Sequence, residues 1–226
     1  MAGPQTSIRI SNPKEFELAF GVSRETLAKI ETYEIELRRW QKAVNLVSPS
    51  TLEQIWHRHF ADSAQLASLV PAGSRHLVDI GSGGGFPGLV LAALCEARSD
   101  FRVTLVESDT RKASFLRETA RRMQIPVEIL STRIESDASV KQLNDVDTIT
   151  ARAFAPFDRL FGLVSPVFGS DTVGLFLKGR DVDREVEDAA ANWSFDIELH
   201  ESMTDSGGRI AVVRDLAPKM EGDSHD

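Results

Sequence analysis

Apolar residues in the first part of the chain recur at the spacing of α-helices. Asn12, directly before a proline, predicts the start of a short helix, and Gly21 predicts its end. A longer helix is predicted after the candidate cap Ser23, because apolar positions then recur at helical spacing over about six turns. These apolar positions are Leu27, Ile30, Tyr33, Leu37, Trp40 and Val44.

Pro49 interrupts this pattern, and the residues that follow predict a further helix. Apolar positions between Leu52 and Ala64 again have helical spacing, with Arg58 on the more polar side. Residues 1–72 are therefore predicted to form an all-helical extension that packs on the domain behind it.

From Arg75 onward the pattern changes to short apolar runs that alternate with amphipathic helices. Such alternation predicts a parallel sheet with helices on both faces. The apolar runs are 76–80, 101–107, 127–131, 146–151 and 172–178.

The end of the chain has a different pattern. Residues 196–203 and 209–215 alternate like strands on either side of a Ser-Gly-Gly turn, which predicts a hairpin. The predicted fold is therefore α/β, with five parallel strands and an antiparallel C-terminal hairpin in one seven-stranded, Rossmann-like sheet. We expect this domain to span 73–216 and a disordered acidic tail to span 217–226.

A glycine-rich loop follows the first apolar run. Between Val78 and Gly88 the chain passes from an apolar strand to a loop with few side chains and then to a helix, with Pro87 in the first turn of that helix. Glycines crowded in this way predict positive φ angles or the close approach of a ligand such as a nucleotide.

The glycines alone leave the cofactor open. The spacing of Gly81, Gly83 and Gly85 is typical of S-adenosylmethionine loops, whereas the spacing of Gly83, Gly85 and Gly88 also satisfies the dinucleotide fingerprint. Glu107 ends the second apolar run, where a carboxylate can accept hydrogen bonds from ribose hydroxyls in either kind of site. The C-terminal hairpin favours S-adenosylmethionine, because a full dinucleotide fold would need a second three-strand half that this chain is too short to contain.

The composition of the chain bears on its compartment and on its partners. The chain has 226 residues, a formal net charge of −8 and a single cysteine, Cys95, so no internal disulfide can form. The longest apolar run, Leu89 to Cys95, is far shorter than the ~20 residues of a membrane span. We expect a soluble, cytoplasmic protein without a metal site, and a net field that repels phosphate unless basic residues gather locally.

The residues after the fourth apolar run bear on the reaction. The sequence from Ala151 to Pro156 lacks the Asp/Asn-Pro-Pro-aromatic motif of exocyclic amine methylation, and Cys95 is in the wrong segment to be a C5 nucleophile. Guanine N7 needs neither the amine motif nor a cysteine nucleophile, because its lone pair is already free to attack. Catalysis can therefore depend on orienting the guanine towards the methyl group. We therefore assign no general base and no catalytic residue. Arg152 is predicted to neutralise a cofactor carboxylate or a substrate phosphate, with a structural ion pair as the alternative.

Three further residues are candidates for contact with adenosine. Phe86 is predicted either to wall the adenosine or to be a core aromatic at the start of a helix. Ile134 and Glu135 follow the third strand, where they can meet the adenine edge through an apolar contact and a hydrogen bond. Alternatively, Glu135 is a charge at a helix N-terminus.

Several motifs in this order resemble those of one known family. They are Trp40 to Ser48 (WQKAVNLVS), Arg58-His59 with Asp62-Ser63, Asp79 to Gly88 (DIGSGGGFPG), Val106-Glu107-Ser108 with Arg111-Lys112, Ser131 to Glu135, Arg152-Ala153-Phe154, and Leu177-Lys178-Gly179. From about residue 30 to 215 the chain resembles the bacterial small-subunit ribosomal RNA guanine-N7 methyltransferases, also called glucose-inhibited division protein B.

The resemblance implies a function and a set of contacts. Members of that family use S-adenosylmethionine to methylate N7 of one guanine in a conserved 16S rRNA loop near the decoding centre. By resemblance, the cofactor contacts are Gly81, Phe86, Ile134, Glu135 and Arg152.

We predict the RNA contacts from position and charge alone. They are Arg58, His59, Arg111, Lys112, Lys178 and Arg180. The expected partner is 16S rRNA within the small ribosomal subunit or an assembly intermediate, and the expected state is a monomer. Two other functions stay open: a methyltransferase for a small molecule or a protein, and a non-catalytic assembly factor.

Overall fold

The computed structural model describes residues 9–219, apart from the side chain of Ala138. Within this range the chain begins with a run of helices and continues as a sheet flanked by helices. The first helices are α1 (Pro13–Phe20), α2 (Arg24–Trp40), α3 (Pro49–Leu52), a π-helical segment (Trp56–Ala61) and α4 (Asp62–Ala64). A 3-10 turn (Gln65–Ser68) leads from α4 towards the sheet.

The predicted ends of α1 and the predicted start of α2 are confirmed, whereas α2 ends at Trp40, before the Val44 that its apolar spacing predicts. The Asn12 side chain accepts a hydrogen bond from the Glu15 amide, and Gly21 ends α1 with a φ of 61°. Ser23 caps α2 in the same way as Asn12 caps α1. The single helix predicted over 52–64 is wrong: Pro49 starts α3 at its first turn, and the chain then passes through the π-helical segment.

The seven strands form one sheet, as predicted. The strands are β1 (His76–Ile80), β2 (Arg102–Val106), β3 (Glu128–Leu130), β4 (Thr148–Arg152), β5 (Val173–Lys178), β6 (Trp193–Glu201) and β7 (Arg209–Pro218). Their order is β3-β2-β1-β4-β5-β7-β6, with β1 to β5 parallel and β7 antiparallel between β5 and β6. Strand β7 includes two residues of the predicted acidic tail, and residues 220–226 lie outside the described part.

Helices cover both faces of the sheet. They are α5 (Gly88–Leu94), α6 (Thr110–Met123), α7 (Asp137–Gln142), α8 (Phe157–Val164) and α9 (Val182–Ala190). Alternate strand residues point to opposite faces, so Leu77 and Leu105 pack with the N-terminal helices, α5 and α6, whereas Val78 and Val106 pack against α8. The N-terminal helices therefore share a core with one face of the sheet.

The sheet order reverses between β1 and β4, which are neighbours although β2 and β3 lie between them in sequence. In open parallel sheets, ligands bind in the crevice at the carboxyl ends of the strands where the order reverses. The residues after Ile80 and Arg152 therefore enter the candidate site. None of the helices in residues 9–219 has the length and apolar character needed to cross a membrane.

Candidate functional site

The glycine loop after β1 is fastened to the end of β2. The Gly81 and Ser82 amides both donate to the Val106 carbonyl, at 2.9 and 3.1 Å. Gly81, Gly83 and Gly85 all have positive φ, as the crowding of glycines predicts. The loop thus holds its backbone against the crevice in a conformation that other residues rarely adopt.

Three predicted cofactor contacts come together beside this loop. Gly81, Ile134 and Glu135 line one cavity of about 260 Å³, with the Phe154 ring on its other side. A Cβ atom on Gly81 would lie 2.1 Å from Cδ2 of Phe154, so only a glycine lets the Phe154 ring lie against this backbone. Apolar walls, bare backbone and the carboxylate of Glu135 fit a nucleoside-like ligand.

Glu107 lies in sequence between Val106 and Ser108, which line this cavity, but its side chain faces the loop. Its side chain is buried, and its Oε2 accepts from the Gly83 amide at 2.8 Å while Oε1 accepts from the Asp109 amide at 2.7 Å. Glu107 therefore stabilises the glycine loop through Gly83. Contact between Glu107 and a ribose stays a prediction. It is compatible with these hydrogen bonds, because each carboxylate oxygen has a second lone pair that can accept from a ribose hydroxyl.

Gly85 and Phe86 face the N-terminal helices. A Cβ atom on Gly85 would lie 2.4 Å from the Tyr33 hydroxyl, and the Phe86 ring stacks on Tyr33 with 5.0 Å between centroids. The Phe86 side chain is only 3% exposed, as expected for the core aromatic that the sequence left as an alternative. Tyr33 also donates a hydrogen bond to the Gly84 carbonyl and thereby ties α2 to the loop.

We expect Tyr33→Phe to lower the free energy of unfolding by about 1 to 2 kcal/mol, because the buried Gly84 carbonyl would lose its donor. Urea unfolding measures this change. Thr119→Val is the matched control, since the Thr119 hydroxyl is buried without a hydrogen-bond partner and its loss should not destabilise the fold. Equal stability of Tyr33→Phe and the unsubstituted chain would contradict the bridge from α2 to the loop.

Asp79 is buried beneath the loop, at the end of β1. Its Oδ1 accepts from the Thr150 hydroxyl at 2.8 Å, whereas Oδ2 has no hydrogen-bond partner among residues 9–219. Burial raises the pKa of Asp79 to about 6, against the opposing effect of the Thr150 hydrogen bond. At neutral pH the Asp79 carboxyl is therefore mostly ionised, at a cost in free energy that the exposed carboxyl of the unfolded chain does not have.

This burial predicts a pH-dependent effect of Asp79→Asn. Because the folded pKa lies above the unfolded one, the stability that Asp79 contributes is present below about pH 4 and is lost as the pH rises through about 6. Relative to the unsubstituted chain, Asp79→Asn should therefore gain roughly 2 to 3 kcal/mol between about pH 4 and pH 8. Chemical unfolding at both pH values checks this, and a pH-independent difference would contradict the raised pKa.

Arg152 is the last residue of β4, and its side chain contacts the N-terminal helices. Its Nη1 donates to the Arg58 carbonyl at 3.1 Å and lies 3.7 Å from Oδ2 of Asp62, while its guanidinium is 5.0 Å from the centre of the Phe86 ring. Burial lowers the pKa of Arg152 and raises that of Asp62, and the opposite charge of the partner counteracts each shift. The structural ion pair that the sequence left open is thus observed.

A second cavity, called the large cavity below, opens beside Arg152 and has a volume of about 690 Å³. It lies between the carboxyl ends of β4 and β5, the N-terminal helices and the turn that joins β6 to β7. Phe154, 39% exposed, lines both cavities and separates them. Charged side chains of both signs line this second cavity: Arg58, Asp62, Arg152, Lys178, Glu185, Asp205 and Arg209.

Two of the predicted RNA contacts are already engaged within the protein. His59 is 6% exposed, and burial, with Arg152 nearby, lowers its pKa to about 3, so it is uncharged at neutral pH. His59 as an RNA contact stays a prediction, one in which the imidazole contributes no charge. Lys178 is 8% exposed and its Nζ lies 2.6 Å from Oε2 of Glu185, so this charge is neutralised internally.

The other predicted RNA contacts are more accessible. Arg111, 71% exposed, and the half-buried Lys112 are on the first turn of α6, whereas Arg58 and Arg180 lie beside the large cavity. These four residues keep their role as a prediction.

Comparison with known proteins shows close relatives. The family model described as rRNA small subunit methyltransferase G matches residues 26–213. The ribosomal RNA small subunit methyltransferase G of Parvibaculum lavamentivorans is 47% identical over 214 residues, which cover 95% of this chain and 92% of the relative. The protein of the same name from Paramagnetospirillum magneticum is 44% identical over 205 residues, covering 91% and 96%.

Solved structures with a similar fold are more distant. An O-methyltransferase from Bacillus cereus in complex with SAH has a TM-score of 0.54 and 19% identity, covering 81% of this chain and 90% of its own. A ribosomal protein L11 methylase from Lactobacillus delbrueckii has a TM-score of 0.52 and 15% identity, covering 70% and 77%. At such low identity these likenesses establish the fold alone.

Proposed function

The chain belongs to the rRNA small subunit methyltransferase G family of S-adenosylmethionine-dependent enzymes, and from this premise we propose that it methylates N7 of a guanine in 16S rRNA. The observation that carries the proposal is the pair of cavities that meet at Phe154. The smaller cavity fits a nucleoside at the glycine loop, and the larger has room and charge for a nucleotide of the substrate.

The smaller cavity is the proposed donor site. Gly81 would present bare backbone to the cofactor, Ile134 would contact the adenine, and Glu135 would accept a hydrogen bond from it. S-adenosylmethionine supplies an electrophilic methyl group on its sulfonium. Glu107 acts on the donor site through the loop that it holds in place.

The larger cavity supports N7 as the acceptor because its carboxylates are already paired. Asp62 lies beside Arg152, Glu185 beside Lys178 and Asp205 beside Arg58. A carboxylate that is already paired with a cation is not free to orient an amine substrate, which disfavours an amine as the acceptor. Guanine N7 has no proton to lose, so the protein need only align it with the methyl group and exclude water.

Charge also bears on the form of the substrate. A net charge of −8 opposes long-range attraction to RNA, so we propose the assembled small subunit, or an intermediate close to it, as the preferred substrate. In such a particle, shape and ribosomal proteins add to the affinity. We further propose that the enzyme acts as a monomer in the cytoplasm.

Transfer of a labelled methyl group tests this function. Small subunits from cells that lack this chain are incubated with the protein and methyl-labelled S-adenosylmethionine, and subunits from wild-type cells serve as the matched control. We expect label in the 16S rRNA of the first sample only, removed by ribonuclease and not by protease. Label in protein would contradict the proposal, as would no label from a protein that binds S-adenosylhomocysteine in calorimetry.

A further inference from the structure

The turn between β6 and β7 places one carboxylate among basic side chains at the wall of the large cavity. Oδ2 of Asp205 lies 2.9 Å from Nη1 of Arg58, and Oδ1 accepts from the Gly207 amide at 3.0 Å. The Arg180 side chain lies across Gly207, where a Cβ atom would come within 2.6 Å of its Cγ and Nε. Asp205 is thus held by a guanidinium and a backbone N–H, beside a second guanidinium.

Asp205 differs from the other carboxylates of this cavity in its exposure. The Asp62 and Glu185 side chains are 19% and 23% exposed, and both also accept hydrogen bonds from neighbouring segments. The side chains of Arg58 and Asp205 are 40% and 38% exposed. Ion pairs at such accessible positions contribute little to stability, so this pair can exchange partners at low cost.

The turn does not depend on the bond between Asp205 and Arg58. The Met203 amide donates to Oε1 of Gln65, and the Thr204 hydroxyl donates to Oδ1 of Asp62, so two other hydrogen bonds fasten the turn to the N-terminal helices. The Asp205 side chain can therefore rotate away from Arg58, giving up its hydrogen bond with the Gly207 amide, while these two bonds keep the backbone in place. Arg58 would then present its planar donors to the cavity.

We propose that Asp205 occupies the position of an RNA phosphate on Arg58, and that a phosphate of the substrate RNA displaces it. A guanidinium binds carboxylates and phosphates through the same paired donors, so one anion can replace the other. The proposal rests on the proposed function, since it concerns the RNA that would enter this cavity. Its consequence is selectivity: generic RNA must compete with Asp205 and binds weakly, whereas the correct particle offsets this competition with further contacts.

Asp205→Asn tests the competition, because asparagine keeps the oxygen that accepts from Gly207 and removes the charge. Asp171→Asn is the matched control, because it changes the net charge by the same amount. Asp171 lies beside the amino end of β5, whereas Asp205 lies at the cavity near the carboxyl end of that strand. The probe is a short fluorescently labelled single-stranded RNA, titrated by anisotropy over a range of salt concentrations. Calorimetry with S-adenosylhomocysteine shows that each variant is folded.

We expect Asp205→Asn to bind the RNA about three- to tenfold more tightly than Asp171→Asn. The slope of log K against log salt should become steeper by about 0.7, the value for one additional phosphate contact. In an Arg58→Ala background the same substitution should give no gain over the control. The proposal is overturned if Asp205→Asn binds no more tightly than Asp171→Asn, or if its gain persists without Arg58.

The outcome is separate from that of the methyl-transfer assay. Failure to label 16S rRNA would refute the proposed function whatever the binding result. A normal methyl-transfer result, combined with no gain in RNA binding, would refute the role of Asp205 alone.

Discussion

Replacing Arg152 with alanine is expected to lower the free energy of unfolding by roughly 3 to 5 kcal/mol near pH 8. The substitution leaves the carboxylate of Asp62 in a mostly buried position without its cation, and it removes the guanidinium that covers Phe86. It also removes a donor from the Arg58 carbonyl. Chemical unfolding monitored by circular dichroism measures the change.

The pH dependence identifies the cause of this loss. Burial already raises the pKa of Asp62, and without the opposing charge of Arg152 it should rise further above its unfolded value. The penalty is therefore largest above the folded pKa and fades as the pH falls towards the unfolded pKa. Asp62→Asn added to Arg152→Ala should recover much of the stability near pH 8, because an amide carries no charge to bury.

Two results would contradict this assignment. If Arg152→Ala is destabilised equally at both ends of the pH range, the unpaired carboxylate is not the cause. If its stability is unchanged and only the affinity for S-adenosylhomocysteine falls, Arg152 is a ligand contact and not a structural ion pair.

Gly85→Ala is expected to destabilise the fold by about 3 to 4 kcal/mol, the sum of left-handed strain and overpacking. Gly85 has a φ of 89°, and an added Cβ atom would lie 2.4 Å from the Tyr33 hydroxyl and 2.7 Å from Cδ1 of Leu89. Both neighbours are buried and have little room to move. Thermal and urea unfolding measure the loss.

Gly83→Ala is the matched control for this prediction. Gly83 also has a positive φ, 53°, but the nearest atom to an added Cβ is the Gly81 carbonyl oxygen at 3.6 Å. We expect a loss of about 1 kcal/mol from backbone strain alone. Similar losses at both positions would show that strain, and not packing against α2, determines the need for glycine at Gly85.

Local signals in the sequence were enough to predict most of the fold. The cap at Asn12 and the stop at Gly21 act within one helical turn, so the sequence alone places them correctly. The alternation of residues 196–203 and 209–215 predicted the antiparallel β6–β7 pair, although β6 starts and ends earlier, at Trp193 and Glu201, and β7 continues to Pro218. The pattern after Pro49 does not predict the π-helical segment at Trp56–Ala61, because its apolar spacing is that of an ordinary α-helix.

The family resemblance and the fold class are confirmed, but the candidate site was only partly predictable. Gly81, Ile134 and Glu135 meet because each follows a strand that ends at the same edge of the sheet. The orientation of Phe86 depends on Tyr33, which comes from a helix far away in sequence. No local pattern reveals such a contact.

The sequence also does not predict which charged side chains pair when they are far apart along the chain. Arg152 meets Asp62 and Arg58 meets Asp205 across long stretches of sequence, so a count of basic residues overestimated the charge available to RNA. Phe154 was named only within a family motif and not as a site residue, although it lies two residues after Arg152 and separates the two cavities. An aromatic residue two positions after a candidate binding residue at a strand end is the signal that could have identified it.

The identity of the methylated nucleoside tests the central claim most directly. After reaction with this chain, 16S rRNA from previously unmethylated small subunits is digested with nuclease, and its fragments and nucleosides are analysed by mass spectrometry. We expect 7-methylguanosine at a single site in one fragment. A methyl group on any other nucleoside, or none in the 16S rRNA, would contradict it.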